Sequence, residues 1–364
     1  MNHSLRSLSF HRIDFFLLLP AIALLIISVL TLYSIDISLF RQQLIFFVIS
    51  AAVYFVFLSV DYRIFGFLSK QLYIGILLSL LLLFFIGIEA KGAVRWIDIF
   101  GIRLQFSEII KPFYVIVLAK LLSSDETHSL KTFLKGLILL FPVFFLILRQ
   151  PDLGNAIIYF VTTVCMFFAY GFPVRYFLSF FAALIIPMPI FYGFLKEYQR
   201  VRLFSFLNAT SDPFGSSYNS IQALISIGSG GFLGKGLGQA TQSVLRFLPE
   251  RHTDFIFATI SESLGIFGGV LLIAIFFLLL LRIYRITTNT VDSFSHLVAV
   301  GMFFLLLVHT FFNIGMNLGI LPIVGITLPL VSYGGSSLLT NFIILSILST
   351  ISSEKKSDSI FEIR

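Results

Sequence analysis

The sequence predicts an all-α integral membrane protein with about ten transmembrane helices, and three observations support this class. The chain of 364 residues is 58% hydrophobic and only 12% charged, whereas soluble domains are roughly one-quarter charged. Its apolar runs approach the roughly 20 residues that cross a bilayer as a helix. Its basic residues favour one side of these runs. We therefore expect a single polytopic membrane domain over residues 1–364, without a separate soluble domain.

The ten predicted spans differ in regularity. The clear spans are Phe15–Tyr33, Leu44–Val60, Leu72–Ile88, Ala156–Gly171, Phe177–Leu195, Leu264–Leu281 and Leu297–Phe312, and the irregular ones are Ile109–Leu122, Gly136–Leu148 and roughly Pro329–Ile351. The fourth span contains Lys111, the short fifth contains Pro142, and the tenth begins in a glycine- and serine-rich stretch. Interrupted spans typically line cavities rather than lipid.

The first run is predicted to be a retained span, although Ala21-Ile-Ala23 resembles a signal-peptide cleavage site. The run continues well past this tripeptide and is too long for the apolar region of a signal peptide. The single cysteine, Cys165, excludes an intramolecular disulfide and suggests no thiol metal site. The net charge of +7 does not indicate nucleic-acid binding, because basic residues in membrane proteins first report topology and contact with anionic lipid.

Lysine and arginine are concentrated in the loops that share a side with the N-terminus. Arg63, Lys131 and Arg175 belong to these loops, whereas the short loops on the other side contain fewer basic residues, such as Arg41 and Arg149. The positive-inside rule then places both termini in the cytoplasm, which agrees with an even number of spans.

The long outer loop between spans seven and eight, residues 196–253, is basic against this bias. It contains Arg200, Lys235 and Arg246. Two interpretations stay open: long loops cross the membrane regardless of charge, or the outer face binds an anion such as a lipid pyrophosphate. The glycine run at residues 228–238 lacks Walker spacing. It either lets backbone N–H groups approach a bound group or supplies a flexible loop.

Asp254 is the main candidate for chemistry. It follows a polar segment and precedes a long apolar run, and a carboxylate at a membrane boundary is costly without a partner or a function. In a helix, Asp254 and Ser261 share one face, with Glu262 beside them as a second acid within the membrane. From the residues alone, an acid that stabilises the start of a helix is an equally good explanation of Asp254.

Three further charged residues lie at the outer ends of spans. Glu108 and Lys111 are three positions apart, so they can pair on one helix face. A structural salt bridge is the favoured explanation, although buried pairs stabilise poorly and a role in substrate contact stays open. Asp152 is best explained as an N-cap or Asx-turn acid. The histidines, including His309, are too scattered to indicate a metal site.

Several stretches together resemble the SEDS family of bacterial cell-wall proteins (shape, elongation, division and sporulation), in family order over nearly the whole chain. The matching stretches are Arg95–Asp98, Gln105–Lys111, Gln150–Gly154, Tyr198–Arg200, Gly228–Gly231, Leu248–Phe257, Asn313–Gly315 and Ser332–Ser337. Residues 234–242 and 246–251 look more like the RodA branch than the FtsW branch. Phe106 departs from the pattern, because the family usually has proline there.

The resemblance implies a ten-span glycosyltransferase that polymerises lipid II into glycan strands outside the bacterial cytoplasmic membrane. It also implies two kinds of partner, a class B penicillin-binding protein that supplies the transpeptidase and other proteins of the elongation complex. Carried onto this sequence, the family's essential aspartate is Asp254, its cavity residues are Glu108, Lys111 and Asp152, and candidate substrate contacts are Arg200 and Lys235.

The implied reaction requires a base and a site for pyrophosphate. Lipid II carries its sugar on an α-pyrophosphate and the product linkage is β-1,4, so the anomeric carbon inverts. Asp254 is the candidate base for the acceptor 4-hydroxyl. Lys111, Arg200 and Arg246 are candidate ligands of the pyrophosphate, with or without a divalent Mg or Mn ion. We expect no tightly bound cofactor, because the leaving group is already attached to the lipid.

Two alternatives belong to other functional classes. A transporter that flips a lipid-linked precursor needs a polar path that reaches both faces, whereas a polymerase needs a site at the outer face only. A non-catalytic scaffold for a penicillin-binding protein does not require Asp254.

Overall fold

A computed structural model describes residues 12–90, 93–99, 102–125, 127–186 and 218–361, and helices make up most of them. The helices are α1 Phe15–Ile35, α2 Ile37–Ser59, α3 Arg63–Phe67, α4 Ser69–Ile86, α5 Phe106–Ile109, α6 Lys111–Ser123, α7 Leu130–Arg149, α8 Leu153–Tyr170, α9 Val174–Ile185, α10 Tyr218–Ser229, α11 Thr241–Val244, α12 Ile256–Asn289, α13 Ser293–Asn317 and α14 Gly335–Phe361. The strands are β1 Ile88–Ala90, β2 Ala93–Ile99 and β3 Ile102–Gln105.

The prediction of an all-α membrane protein is confirmed. Within the described residues, eight helices are long and apolar enough to cross a membrane: α1, α2, α4, α7, α8, α12, α13 and most of α14. The shorter α6 and α9 overlap the predicted fourth and seventh spans, and the last part of the seventh lies outside the described residues. Every predicted span therefore overlaps a helix.

The fifth and the tenth spans were both predicted to be irregular, but only the tenth is interrupted in the structure. The fifth is longer than predicted, because α7 begins after Ser129, whose side chain caps the helix, and continues through Pro142 without a break. The tenth is interrupted as predicted: residues 320–334 contain no regular helix, and α14 starts only at Gly335. The side chains of Leu328 and Val331 are fully buried in this segment, so its irregular backbone packs against protein, as a membrane requires.

The centre of the bundle is formed by α13 and α14, which are its most buried long helices among the residues described. Helix α13 packs against α6, α8 and α12, and α14 packs against α2. Gly301 permits two of these contacts, since a Cβ on it would lie 2.3 Å from a methyl carbon of Val115 on α6 and 2.8 Å from the sulfur of Met166 on α8.

One end of the bundle is closed by polar side chains near both termini. Asp14 caps α1 and forms an ion pair with Arg282 on α12, and Ser352 on α14 also donates to it. Nearby, Tyr62 is hydrogen-bonded to Ser295. These contacts join the start of α1 to the ends of α12 and α14, in agreement with the prediction that both termini share a side.

The opposite end carries a three-stranded antiparallel sheet that the sequence did not predict. The strand order is β1-β2-β3, with Trp96 opposite Gln105 and Asp98 opposite Arg103. Strand β3 leads directly into α5. The sheet thus places β2, which contains Arg95, beside a cavity at this end of the bundle.

Candidate active site

A cavity of about 350 Å³ opens at the end of the bundle that carries the sheet. Strand β2, the start of α8, the turn before α12 and the segment between α13 and α14 form its walls. The residues that line the cavity include Arg95, Glu108, Asp152, Asp254, Gly325 and Tyr333. Three predicted site residues, Glu108, Asp152 and Asp254, are therefore brought together from three distant parts of the chain.

Asp254 lies in the turn that precedes α12 rather than in the helix. The helix begins at Ile256, the N-cap position is Phe255, and no side chain caps it. Asp254 is therefore not the capping residue of α12, and the helical face that we predicted it to share with Ser261 does not extend as far as Asp254.

Two asparagines on α13 hold the turn through its backbone. The carbonyl oxygen of Asp254 accepts hydrogen bonds from the Nδ2 atoms of Asn313 and Asn317, both at 3.0 Å. The Oδ1 atom of Asn317 in turn accepts from the backbone N–H of Ala258 at 3.1 Å. Both asparagines are fully buried, and polar side chains in a transmembrane helix are costly unless they find such partners. The position of Asp254 is thus fixed from α13.

The segment between α13 and α14 holds the same turn from another side. The hydroxyl of Ser332 donates to the carbonyl of Thr253 at 2.6 Å and accepts from the backbone N–H of Leu328 at 2.8 Å. The backbone N–H of Tyr333 donates to the carbonyl of His252 at 2.8 Å. The residues before α12 are therefore rigidly supported.

A glycine-lined wall borders the carboxylate of Asp254. Gly325 has a φ of +70°, and a Cβ there would lie 3.4 Å from Oδ2 of Asp254. On the other side of this wall, a Cβ on Gly154 would lie 2.4 Å from the carbonyl oxygen of Val324. Backbone segments can approach this closely only where a side chain is absent. The wall between α8 and Asp254 thus consists largely of backbone.

Asp152 is the N-cap of α8, as predicted. Its carboxylate accepts from the backbone N–H of Asn155 at 3.2 Å, from Nδ2 of Asn155 at 2.8 Å and from Nε2 of Gln105 at 2.6 Å. Nη1 of Arg95 lies 3.7 Å away. The side chain is almost fully buried. Asp152 therefore joins the sheet to the start of α8.

The predicted pair of Glu108 and Lys111 is confirmed and has a third member. Nζ of Lys111 lies 2.7 Å from Oε1 of Glu108 and 2.8 Å from Nε2 of His309. An ammonium group only donates, so Nε2 of His309 accepts and its Nδ1 carries the proton. Lys111 is 1% exposed and, unlike Glu108, does not line the cavity. It therefore lies one layer behind the cavity wall.

Lys235 is bound between the outer loop and α12 rather than in the cavity. Its Nζ lies 3.2 Å from Oε1 of Glu262 and 2.8 Å from Oγ1 of Thr241. Glu262 is fully buried and also accepts from the backbone N–H groups of Gln242 and Ser243 at 2.8 and 3.1 Å. This second acid of the sequence therefore anchors the loop to α12.

The glycine run packs backbone against backbone. Helix α12 is broken at Gly265, whose φ of +70° is not helical, and the N–H of Ile266 donates to the carbonyl of Gly231 at 2.9 Å. A Cβ on Gly234 would lie 2.2 Å from the carbonyl oxygen of Ser263. We name this contact between residues 230–236 and 262–267 the glycine clasp. It supplies partners for backbone groups that the break in α12 releases.

The remaining predicted ligands lie away from the cavity or outside the described residues. Hydrogen bonds from Ser38 lower the pKa of Asp36, and Arg246 and Arg251 lower it further, which indicates that both arginines lie near the turn between α1 and α2. Arg246 does not line the cavity. Arg200 lies outside the described residues.

The part of the chain that the structure describes contains no group of three His, Cys, Asp or Glu side chains that could hold a metal ion. Mg²⁺ is often bound by one or two carboxylates together with phosphate oxygens of a substrate. A divalent cation here would therefore need ligands from the substrate, and its participation stays a prediction.

Sequence reasoning did not assign roles to several residues that build the site. These are Arg95, Gln105, Asn155, Asn313 and Asn317. A signal was present for the last two, because amides four positions apart in an apolar run share one helix face and are costly in a membrane. The other three act through contacts between distant segments, which no local pattern reveals.

Comparison with known proteins identifies the family. The family model described as "Cell cycle protein", which covers FtsW, RodA and SpoVE, matches residues 6–357. The chain is 37% identical to the peptidoglycan glycosyltransferase MrdB of Escherichia coli K12 over 95% of both chains. It is 34% identical to the probable peptidoglycan glycosyltransferase FtsW of Geobacter metallireducens, with 98% of this chain and 99% of the relative covered.

Solved structures show the same fold. A chain from "Structural coordination of polymerization and crosslinking by a peptidoglycan synthase complex" superposes with a TM-score of 0.83 and 28% identity, over 94% of this chain and 98% of that one. The rod shape determining protein RodA of Thermus thermophilus gives 0.71 and 27%, over 93% and 96%. This multi-pass membrane protein therefore belongs to the FtsW, RodA and SpoVE family of cell cycle proteins, which is the SEDS family that its motifs resemble.

Proposed function

We propose that this chain, a peptidoglycan glycosyltransferase of the SEDS family, polymerises lipid II into β-1,4 glycan strands at the outer face of the bacterial cytoplasmic membrane. The names of its relatives support the reaction class. The identity to MrdB, together with the likeness to a rod shape determining protein, supports a role in cell elongation and shape. The polymerisation inverts the anomeric carbon of the donor sugar.

The general base of this reaction is Asp254. The observation that carries this assignment is its position: its backbone is held by Asn313 and Asn317 while its carboxylate borders the cavity beside Gly325. A rigidly supported carboxylate at a cavity wall suits proton transfer, because catalysis needs the base at hydrogen-bond distance from the reacting hydroxyl.

The acceptor 4-hydroxyl oxygen attacks the anomeric carbon of the donor and forms the new C–O bond. The bond between that carbon and the pyrophosphate oxygen breaks, and its electron pair leaves with the lipid pyrophosphate. Asp254 takes the hydroxyl proton.

The leaving pyrophosphate is held by cationic groups at the cavity. Arg95 lines it, and its side chain is 29% exposed, so its guanidinium can donate to a phosphate oxygen. Lys111 lies one layer behind the cavity wall, paired with Glu108, and acts on the pyrophosphate through its positive charge. Arg200, Lys235 and Arg246 remain candidate contacts of the lipid-linked chains outside the cavity, and a Mg or Mn ion would be shared with the pyrophosphate.

The partner is a class B penicillin-binding protein that cross-links the strands, within an elongation complex. The likeness to a chain of a peptidoglycan synthase complex that couples polymerization and crosslinking supports this partner.

A flippase is disfavoured by the difference between the two ends of the bundle. The cavity beside Asp254 opens at the end that carries the sheet, and the other end is closed by the contacts around Asp14 and Tyr62, whereas a flippase needs a polar route to both faces. A non-catalytic scaffold would not require the buried hydrogen bonds that hold Asp254 at the cavity wall.

Reconstitution distinguishes the three functions. The purified chain, with a penicillin-binding partner that lacks a glycosyltransferase domain, is incubated with lipid II in vesicles. We expect glycan strands to form. Strands that form only after an unrelated glycosyltransferase is added would overturn the proposal in favour of a transporter or scaffold.

A further inference from the structure

A groove of about 370 Å³ lies between α1 and α12 at the end of the bundle opposite the cavity. Its walls are apolar, from Phe16 to Ala23 on α1 and from Ile275 to Leu281 on α12. Its polar lining consists of Arg282 and Arg285 on α12. An apolar groove that ends at two arginines matches a molecule with an apolar chain and an anionic head.

The length of the groove fits one leaflet of a membrane. Its lining on α12 runs from Ile275 to Arg285, which corresponds to about 15 Å along a helix. This is half of the roughly 30 Å hydrocarbon core of a bilayer. Because the arginines lie towards the end that holds Asp14 and Ser352, which the positive-inside rule assigns to the cytoplasm, they lie at the level of the headgroups of the predicted cytoplasmic leaflet.

The two arginines have different electrostatic surroundings. Arg282 is held by its ion pair with Asp14 and a hydrogen bond to Ser352, and its guanidinium lies 5.7 Å from the ring centroid of Phe16. Arg285 is exposed and forms no ion pair with the residues that the structure describes. The charge of Arg282 is balanced by Asp14, so the groove ends with the net positive charge of Arg285.

We propose that this groove binds an anionic glycerophospholipid of the cytoplasmic leaflet. One acyl chain lies between α1 and α12, and the phosphate lies against Arg285, with Arg282 beside it. Guanidinium groups bind phosphate through paired N–H donors, and basic pockets between transmembrane helices on the cytoplasmic side recognise anionic headgroups. The site is separate from the active-site cavity.

Native mass spectrometry of the full chain in detergent tests this site, with phosphatidylglycerol and phosphatidylcholine of the same acyl chains as probes. We expect Arg285→Gln to lower retention of phosphatidylglycerol about fivefold and to leave phosphatidylcholine unchanged. The matched control is Arg175→Gln, an exposed arginine at the same end on α9, which we expect to change neither. Ala23→Phe fills the groove and lowers retention of both lipids.

Three results would overturn the proposal. One is equal retention of the two lipids by the unmodified chain. Another is an equal loss of phosphatidylglycerol in Arg285→Gln and Arg175→Gln, which would indicate a general charge effect. The third is an Ala23→Phe chain that keeps phosphatidylglycerol but no longer co-purifies with a partner membrane protein, which would assign the groove to a partner helix.

Discussion

Asp152 and Asp254 line the same cavity, yet the structure fixes them through different atoms. The carboxylate of Asp152 itself accepts the hydrogen bonds that join Gln105 and Asn155 to the start of α8. For Asp254 the backbone carbonyl accepts the supporting bonds from α13. A mutation of each carboxylate should therefore have different consequences.

We expect Asp152→Asn to destabilise the fold by about 1–3 kcal/mol, because its new NH₂ group would face donors and leave buried polar groups unsatisfied. Thermal unfolding of the purified protein in detergent measures this. Asp254→Asn, which keeps the carbonyl that Asn313 and Asn317 bind, should unfold at the temperature of the unmodified chain. Equal losses of stability in both variants would contradict this distinction.

The buried pair of Glu108 and Lys111 leads to a second prediction. Lys111→Met should destabilise the fold by about 3–5 kcal/mol, because it leaves the carboxylate of Glu108 without its charged partner. The double variant that adds Glu108→Gln should recover most of this loss in the same unfolding measurement. A single variant as stable as the unmodified chain would show that the pair does not support the fold.

Local spacing explains which of these residues could be predicted from the sequence. The Glu108–Lys111 pair and the capping role of Asp152 each involve residues three positions apart, so the pattern is visible in the chain. The contacts of His309 with Lys111, and of Asn313 with Asp254, join residues 198 and 59 positions apart. Such contacts depend on how the helices pack, and a single sequence does not contain that information.

At the level of elements, the break in α12 gives the outer loop a structural role. The clasp binds residues 230–236 to both sides of Gly265, and Glu262 holds α11. The part of α12 between Asp254 and the break at Gly265 is therefore joined both to the outer loop and to the rest of its own helix.

Two glycines with the same φ test the clasp. Gly234 and Gly238 both have a φ of +80°, but only Gly234 lies against other backbone atoms, since nothing lies within 4 Å of a Cβ on Gly238. Each alanine substitution costs about 1–2 kcal/mol for the left-handed conformation. Gly234→Ala should cost more, and should expose the loop to protease. Equal unfolding temperatures and protease sensitivity would show that the close contact is unimportant.

Elements that bury a long apolar surface were predictable, and those defined by contacts with other elements were not. The spans follow from apolar length alone. The sheet from Ile88 to Gln105 is short, and its strands are stabilised by pairing and by their position over α4 and α14. The glycine run was recognised, but its backbone partners in α12 became apparent only in the folded chain.

At the scale of the whole molecule, the two ends of the bundle differ in construction. One end closes with ion pairs and hydrogen bonds around Asp14 and Tyr62, and the other opens into the cavity beside Asp254. This asymmetry suits an enzyme that receives its substrates from one side of the membrane.

Labelling of single cysteines in intact cells tests the orientation of these ends. In a Cys165→Ser background, Gln239→Cys in the outer loop should react with a thiol reagent that cannot cross the membrane. Val291→Cys, in the turn between α12 and α13 where the native side chain is 99% exposed, should react only after the membrane is permeabilised. The reverse pattern would invert the topology and remove the site from the outer face.

The central claim, that Asp254 is the base, is tested most directly by the rate at which Asp254→Asn polymerises lipid II with its partner. We expect Asp254→Asn to lose at least about 100-fold in rate at an unchanged unfolding temperature. The control Asp36→Asn, which alters a half-buried acid that caps α2 away from the cavity, should keep the rate of the unmodified chain. Polymerisation by Asp254→Asn at the rate of the unmodified chain would contradict the account.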